Sequence, residues 1–134
     1  MIVDASMAAA WFLPDERSDE TDRIFADLGR NPGLVPTLFW FETRNLFVNA
    51  ERRLRLRPGE AQLSMMQLRQ APLEDDTERL DSQVVALALT HAISGYDASY
   101  LALAVHRGRS IATLDRRLAN AARSQGLPLL GPLA

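Results

Sequence analysis

Apolar positions along the chain fall into two alternating patterns, short extended runs and longer stripes with helical spacing. Ile2-Val3 is a brief β-branched start, and Met7–Phe12 follows as a helix with Asp4 and Ser6 as candidate caps. The acidic first turn Ser18, Asp19, Glu20 and Asp22 predicts a second helix that turns Ile24, Phe25 and Leu28 inward and stops at Gly29. Leu34-Val35-Pro36 is extended, with Pro36 suited to a strand end. Thr37 is placed to cap a long helix to about Leu54. Pro58 introduces a helix carrying Leu63, Met66 and Leu68. Leu73 marks a further short strand. Thr77 opens a helix with Leu80, Val84, Leu87 and His91 on one face, which Ser94-Gly95 breaks. Asp97 opens the next, closed by Gly108. Ser110–Leu114 is a strand, Asp115 starts a last helix to Ser124, and Gly126–Leu130 ends extended.

Strands alternating with helices predict an α/β domain with a mostly parallel sheet and helices on both faces. The length suits one domain over residues 1–134, with no internal repeat. The longest apolar run, Met7–Leu13, is far short of the ~18 residues of a membrane span. The first charge is Asp4, where a signal peptide would begin positive, so no membrane role and a cytoplasmic location are expected.

Composition narrows the chemistry. There is no cysteine, which removes disulfides, thiolate zinc sites and a cysteine nucleophile. All 15 basic residues are arginine, so Schiff-base chemistry and a phosphate-loop lysine are excluded as well. The net charge of -2 argues, taken alone, against a nucleic-acid partner.

Four acids stand out by their surroundings. Asp4 and Asp115 each follow a predicted strand directly, at the sheet edge where α/β folds bind ligands. Each is equally placed to be a simple helix cap. Glu42 lies inside a helix among Leu38, Phe39 and Leu46 on its own face, with Asn45 beside it. A carboxylate there must be paired with an arginine from elsewhere, protonated, or bound to a metal. Asp97 sits at the tip of the stripe Tyr100, Leu101 and Ala104, again as cap or ligand. An all-oxygen cluster of these acids suits Mg²⁺ or Mn²⁺. Such an ion can hold a phosphodiester and supply a hydroxide nucleophile.

At these residues the chain resembles the PIN-domain ribonucleases, and more narrowly the VapC-type toxins of bacterial toxin–antitoxin (VapBC) pairs. The motifs are Ile2-Val3-Asp4-Ala5-Ser6; Leu34-Val35-Pro36 leading into Glu42-Thr43-Arg44-Asn45-Leu46; Tyr96-Asp97-Ala98-Ser99-Tyr100-Leu101; and Ala112-Thr113-Leu114-Asp115-Arg116-Arg117-Leu118. The resemblance implies a PIN-like three-layer α/β/α sandwich and a Mg²⁺/Mn²⁺-dependent endoribonuclease. It implies a homodimer inhibited by a small VapB-type antitoxin. It makes Asp4 and Asp97 the principal metal ligands, Glu42 and Asp115 secondary ones, and Ser6 and Thr113 supporting hydroxyls. The alternative is a catalytically inactive PIN-like protein-binding module. Dehalogenase-type and receiver-type phosphoryl transfer are disfavoured, because Ser6 stands where the former needs a second Asp and both need a lysine.

For RNA contact the candidates are Arg52 and Arg53, in a run continued by Arg55 and Arg57, together with Arg116 and Arg117. Helix-end complementarity explains the same positions equally well. His91 and His106 lack a nucleophile context and are expected on helix surfaces or in grooves. Trp11, Phe12, Phe39, Trp40, Phe41, Phe47 and Val48 exceed one inward stripe, so some are candidates for a dimer seam or an antitoxin groove. With four acids assigned to one pocket, the rest of the chain is net positive by two, and the overall charge no longer excludes RNA.

Overall fold

A computed structural model describes all residues, 1–134. The elements run β1 (Ile2–Val3), α1 (Ala5–Phe12), α2 (Asp19–Asp27), β2 (Gly33–Pro36), α3 (Leu38–Arg52), α4 (Glu60–Gln70), β3 (Leu73–Asp76), α5 (Asp81–His91), α6 (Gly95–Arg107), β4 (Ile111–Ala112), α7 (Arg116–Ser124) and β5 (Leu129–Leu130). All strand pairings are parallel, in the order β3-β2-β1-β4-β5. Parallel neighbours need helical crossovers, and these are right-handed almost without exception. The chain steps outward from β1 to β2 to β3, then returns past β1 to β4 and β5. The reversal sends the two sets of helices to opposite faces. Accordingly α1, α2, α3 and α4 pack among themselves, and α5, α6 and α7 do likewise. This is the expected α/β/α sandwich.

Burial on both faces explains the strand composition. Ile2, Val3, Ile111 and Ala112 have no exposed surface. Beneath the sheet α6 crosses β1, β2 and β4, and its Ala98, Ala102 and Ala104 let the helix approach closely. One apolar cluster joins the two faces and includes Phe39, Phe47, Leu68, Tyr100, Leu101 and Leu118. No helix is long and apolar enough to cross a membrane.

Gly33 is needed for space rather than for backbone freedom. A Cβ there would lie 2.9 Å from both Val3 Cγ2 and Leu73 Cδ2. Leu73 has room to rotate, but the β-branched Val3 is stiff. Gly33→Ala is therefore expected to destabilise the fold by about 1–3 kcal/mol through overpacking. A urea-denaturation midpoint measures this, and an unchanged midpoint would show that the sheet yields.

Several local expectations need correction. Thr37 forms no side-chain cap and already has helical dihedrals. Helix α3 ends at Arg52, because Leu54 turns left-handed (φ 61) and Arg55 and Leu56 N–H groups close back on the Ala50 carbonyl. Helix α5 begins at Asp81 rather than Thr77, since Asp76 accepts from the Glu78 N–H and holds that segment in a turn. The cap of α6 is Ser94, which makes Asp97 an internal first-turn residue. Strand β4 is only Ile111–Ala112, as Thr113 and Leu114 already leave the sheet. Leu63 and Met66 are exposed, because no further element covers the outer side of α4, whereas Phe25, only marginally exposed, still packs against the Trp11 and Phe12 rings. Helix α5 is apolar over Val84–Leu89 yet buries no residue.

Candidate active site

The position of the site follows from the topology. From β1 the chain moves toward β2, and from β4 it moves toward β5, so the two neighbouring strands diverge at their carboxyl ends. Such a switch point opens a crevice in α/β sheets. The register pairs Ile2 with Ile111 and Val3 with Ala112. Asp4 N–H still reaches the Ala112 carbonyl at 3.2 Å, which leaves Asp4 and Thr113 side by side where the strands part.

Asp4 is almost fully buried, and its carboxylate is held by three donors. These are Met7 N–H at 3.0 Å, the Ser6 hydroxyl at 2.7 and 2.9 Å, and the Thr113 hydroxyl at 2.5 Å. Both hydroxyls are themselves acceptors: Leu114 N–H donates to Ser6 at 2.8 Å and Asp115 N–H to Thr113 at 2.9 Å. Each hydroxyl proton is thereby directed at Asp4. Burial pushes the Asp4 carboxyl up to about 6, against the pull of Thr113, Ser6 and Met7, and the nearby Asp115 adds to the rise.

Glu42 projects from α3 and accepts a 2.6 Å hydrogen bond from the Tyr100 hydroxyl on α6. Burial raises its carboxyl above the usual range, and Asp97 raises it further while Tyr100 opposes. Tyr100 is held firmly protonated by its own burial and by Glu42. Burial likewise raises the Asp97 carboxyl, with Asp115 adding repulsion and Ser94 and Arg117 partly offsetting it. Asp115 caps α7 by accepting from Leu118 N–H at 2.9 Å. For Asp4 and Asp115 the capping role is real, and both carboxylates also line the cavity described next.

Asp4, Glu42, Asp97 and Asp115 line one cavity of about 330 Å³, together with Ser6, Asn45 and Tyr100. No three carboxylates stand close enough to form a ready-made chelate. None of the chain's ion pairs involves these four acids. The arginine partner considered for Glu42 is absent, and its place is taken by Tyr100.

Sequence reasoning missed the tie from Tyr100 to Glu42, because the two are 58 positions apart on elements whose docking no local pattern encodes. It also missed Arg55 as a wall of the cavity. Arg55 is held by Asp15 and Glu16 at 2.8–3.1 Å, and Arg57 lies 3.9 Å from Glu60. These two are therefore withdrawn from the basic run considered for RNA. Arg52, Arg53, Arg116 and Arg117 form no ion pair and are all exposed. Among the surplus aromatics, Phe41 is exposed and stacks under Arg44, whereas Phe39 and Phe47 are core.

Comparison with known proteins agrees with this architecture. Residues 1–124 match the PIN domain family. The chain is 35% identical over 123 residues to Ribonuclease VapC3 of Pyrobaculum aerophilum, spanning 89% of this chain and 92% of that protein. The fold is shared with the crystal structure of PAE2754 from Pyrobaculum aerophilum, with a TM-score of 0.70 and 21% identity over 90% of this chain and 82% of that one. The resemblance carried by the four acidic motifs thus extends through nearly the whole chain, which belongs to the PIN-domain family in its VapC-type branch.

Proposed function

We propose that the chain is a metal-dependent endoribonuclease, the toxin of a toxin–antitoxin pair, which hydrolyses RNA at the four-acid cavity. The observation that carries this reading is the convergence, at the switch point, of four carboxylates from both helical layers, none of them held in an ion pair. Uncompensated acids in a partly desolvated cavity cost stability, and a divalent cation relieves that cost. The donor set fits Mg²⁺ or Mn²⁺, being all oxygen and open enough to keep bound water. Asp4 and Asp97 would be its principal ligands, with Glu42 and Asp115 acting through water or a second ion. Held by these residues, such a cation would supply an acidified water as nucleophile and positive charge for the leaving oxyanion.

The chain's own residues supply the positioning. Ser6 and Thr113 fix the Asp4 carboxylate against rotation. Tyr100 holds one oxygen of Glu42 and leaves the other free. Arg52, Arg53, Arg116 and Arg117 are available to grip RNA phosphates. A VapB-type antitoxin would inhibit by occupying the acidic cavity. The uncovered apolar face of α5, with Val85 and Leu89 exposed, supports a homodimer seam.

Purified chain freed of antitoxin is expected to cleave RNA with Mg²⁺ or Mn²⁺ and to stop when EDTA is added. Inactivity across a broad RNA panel, with the metal demonstrably bound, would favour the inactive binding module instead.

A further inference from the structure

We propose that a second cavity, between the C-terminal end of α5 and the outer face of α7, is a subsite for a nucleotide flanking the scissile phosphate. Its binding groups are Arg117, Asn120 and His91. The inference rests on reading the acidic cavity as the place where RNA is cut.

This cavity measures about 630 Å³ and is lined by Thr90, His91, Ala92, Arg117, Asn120 and Ser124. That volume lies within the range of small-ligand sites. It adjoins the acidic cavity through α7, where Asp115 is the cap and Arg117 the second helical residue. Arg117 is near enough to Asp97 for its charge to favour the ionised carboxylate. The two cavities have opposite chemistry. Five acids, Glu16 among them, and the ion-paired Arg55 line the first, whereas no acid lines the second, whose one fixed cation is surrounded by neutral hydrogen-bonding groups. A phosphodiester strand whose scissile group sits over the acids finds in the second cavity a guanidinium for the next phosphate and an amide for a base edge.

The binding groups have free capacity. Arg117 has no carboxylate partner in any ion pair. Asn120 Oδ1 accepts from Arg123 Nη1 at 3.0 Å, which orients its amide and leaves both N–H donors unused. The Gln125 amide nitrogen lies 2.9 Å from His91 Nε2, a contact that leaves His91 Nδ1 as a further hydrogen-bonding atom. The same contact links the end of α5 to the C-cap of α7. Ala92 ends α5 in a left-handed conformation (φ 53) that glycine would adopt at less cost. Strain of this kind gathers at functional positions.

The test uses Asn120→Ala, His91→Ala and Ser124→Trp, the last filling the cavity without removing a binding group. Cleavage is compared on a single-stranded RNA of about ten nucleotides, a length that spans such a groove, and on the same RNA trimmed to the dinucleotide at its cut site. Wild type should prefer the longer substrate, and each variant should lower that preference roughly tenfold, mainly through KM, as expected for one lost hydrogen bond to a charged group. Retention of the full preference in all three variants would overturn the proposal. So would an equal loss on both substrates, which would mark a structural effect. Binding of the labelled longer RNA in EDTA supplies a readout independent of turnover. If wild type cleaves nothing, the nuclease reading fails, and this binding still decides the subsite: weaker binding in the variants supports it, and equal binding overturns it.

Discussion

Asp97→Asn and Asp4→Asn are each expected, if the proposed metal site is correct, to reduce RNA cleavage by at least about 10³-fold, because each would delete a charged ligand of a cation that would stabilise the transition state by several kcal/mol. Asparagine matches aspartate in shape, so packing is preserved. Asp97 lies in the first turn of α6 and is not its cap, which Ser94 provides. Its substitution also removes repulsion with Asp115, so the folded state should be no less stable than wild type. At position 4 an amide oxygen retains the capping bond from Met7 N–H, while the amide nitrogen replaces the oxygen that accepts from the Thr113 hydroxyl, so some loss of stability is expected there. The measurement is single-turnover cleavage in saturating Mn²⁺ alongside a thermal melt. Near-wild-type cleavage by either variant would overturn the assignment of that residue as a ligand.

The second large effect is a pH-dependent cost that metal removes. Burial raises Asp4 from 3.8 to about 6, so the folded chain binds a proton more tightly than the unfolded chain. Stability contributed by that proton is complete below the unfolded value and is lost as pH rises through about 6. The difference corresponds to a penalty on the order of 3 kcal/mol for the metal-free chain at neutral pH. Glu42 and Asp97, also raised, act with the same sign. Asp15 and Asp76, lowered chiefly by Arg55 and Arg107, act with the opposite sign and matter only in acid below the normal carboxylate range. Without metal, the denaturation midpoint should therefore fall between pH 4.5 and 7.5. Mn²⁺ should restore it strongly at pH 7.5 and hardly at pH 5, where the proton competes. Asp4→Asn should flatten most of the decline. A metal-free midpoint independent of pH over this interval would refute the account.

Much of the site was legible because its placement depends on local pattern. Asp4 and Asp115 follow strands directly, and a parallel sheet puts both strand ends at one edge. Glu42 was conspicuous as a charge on an apolar stripe. The connections among these residues were not legible. The bonds from Ser6 and Thr113 to Asp4 depend on the register of β1 against β4, and the Tyr100 bond depends on how α3 and α6, on opposite faces, meet at the sheet edge. Periodicity also names the apolar face of a helix without saying whether anything covers it. Leu68 and Met66 belong to the same helix and were read alike, yet one is wholly buried and the other is 62% exposed. Helix α5 shows the same: Val84 and Leu87 of its apolar face pack against the core, while Val85 and Leu89 are exposed.

The divergence of β1 and β4 also governs when the site can exist. Thr113 and Asp4 meet across 109 positions of sequence, and Ser6 and Leu114 across 108. Closing so long a loop comes late in folding, after the local helices have formed. Acids from the first 42 residues and acids from residue 97 onward remain separate until that closure. A fragment ending before β4 lacks Asp115 and one of the two hydroxyls that orient Asp4, so the complete acidic cavity is expected to form as one cooperative event rather than growing with chain length.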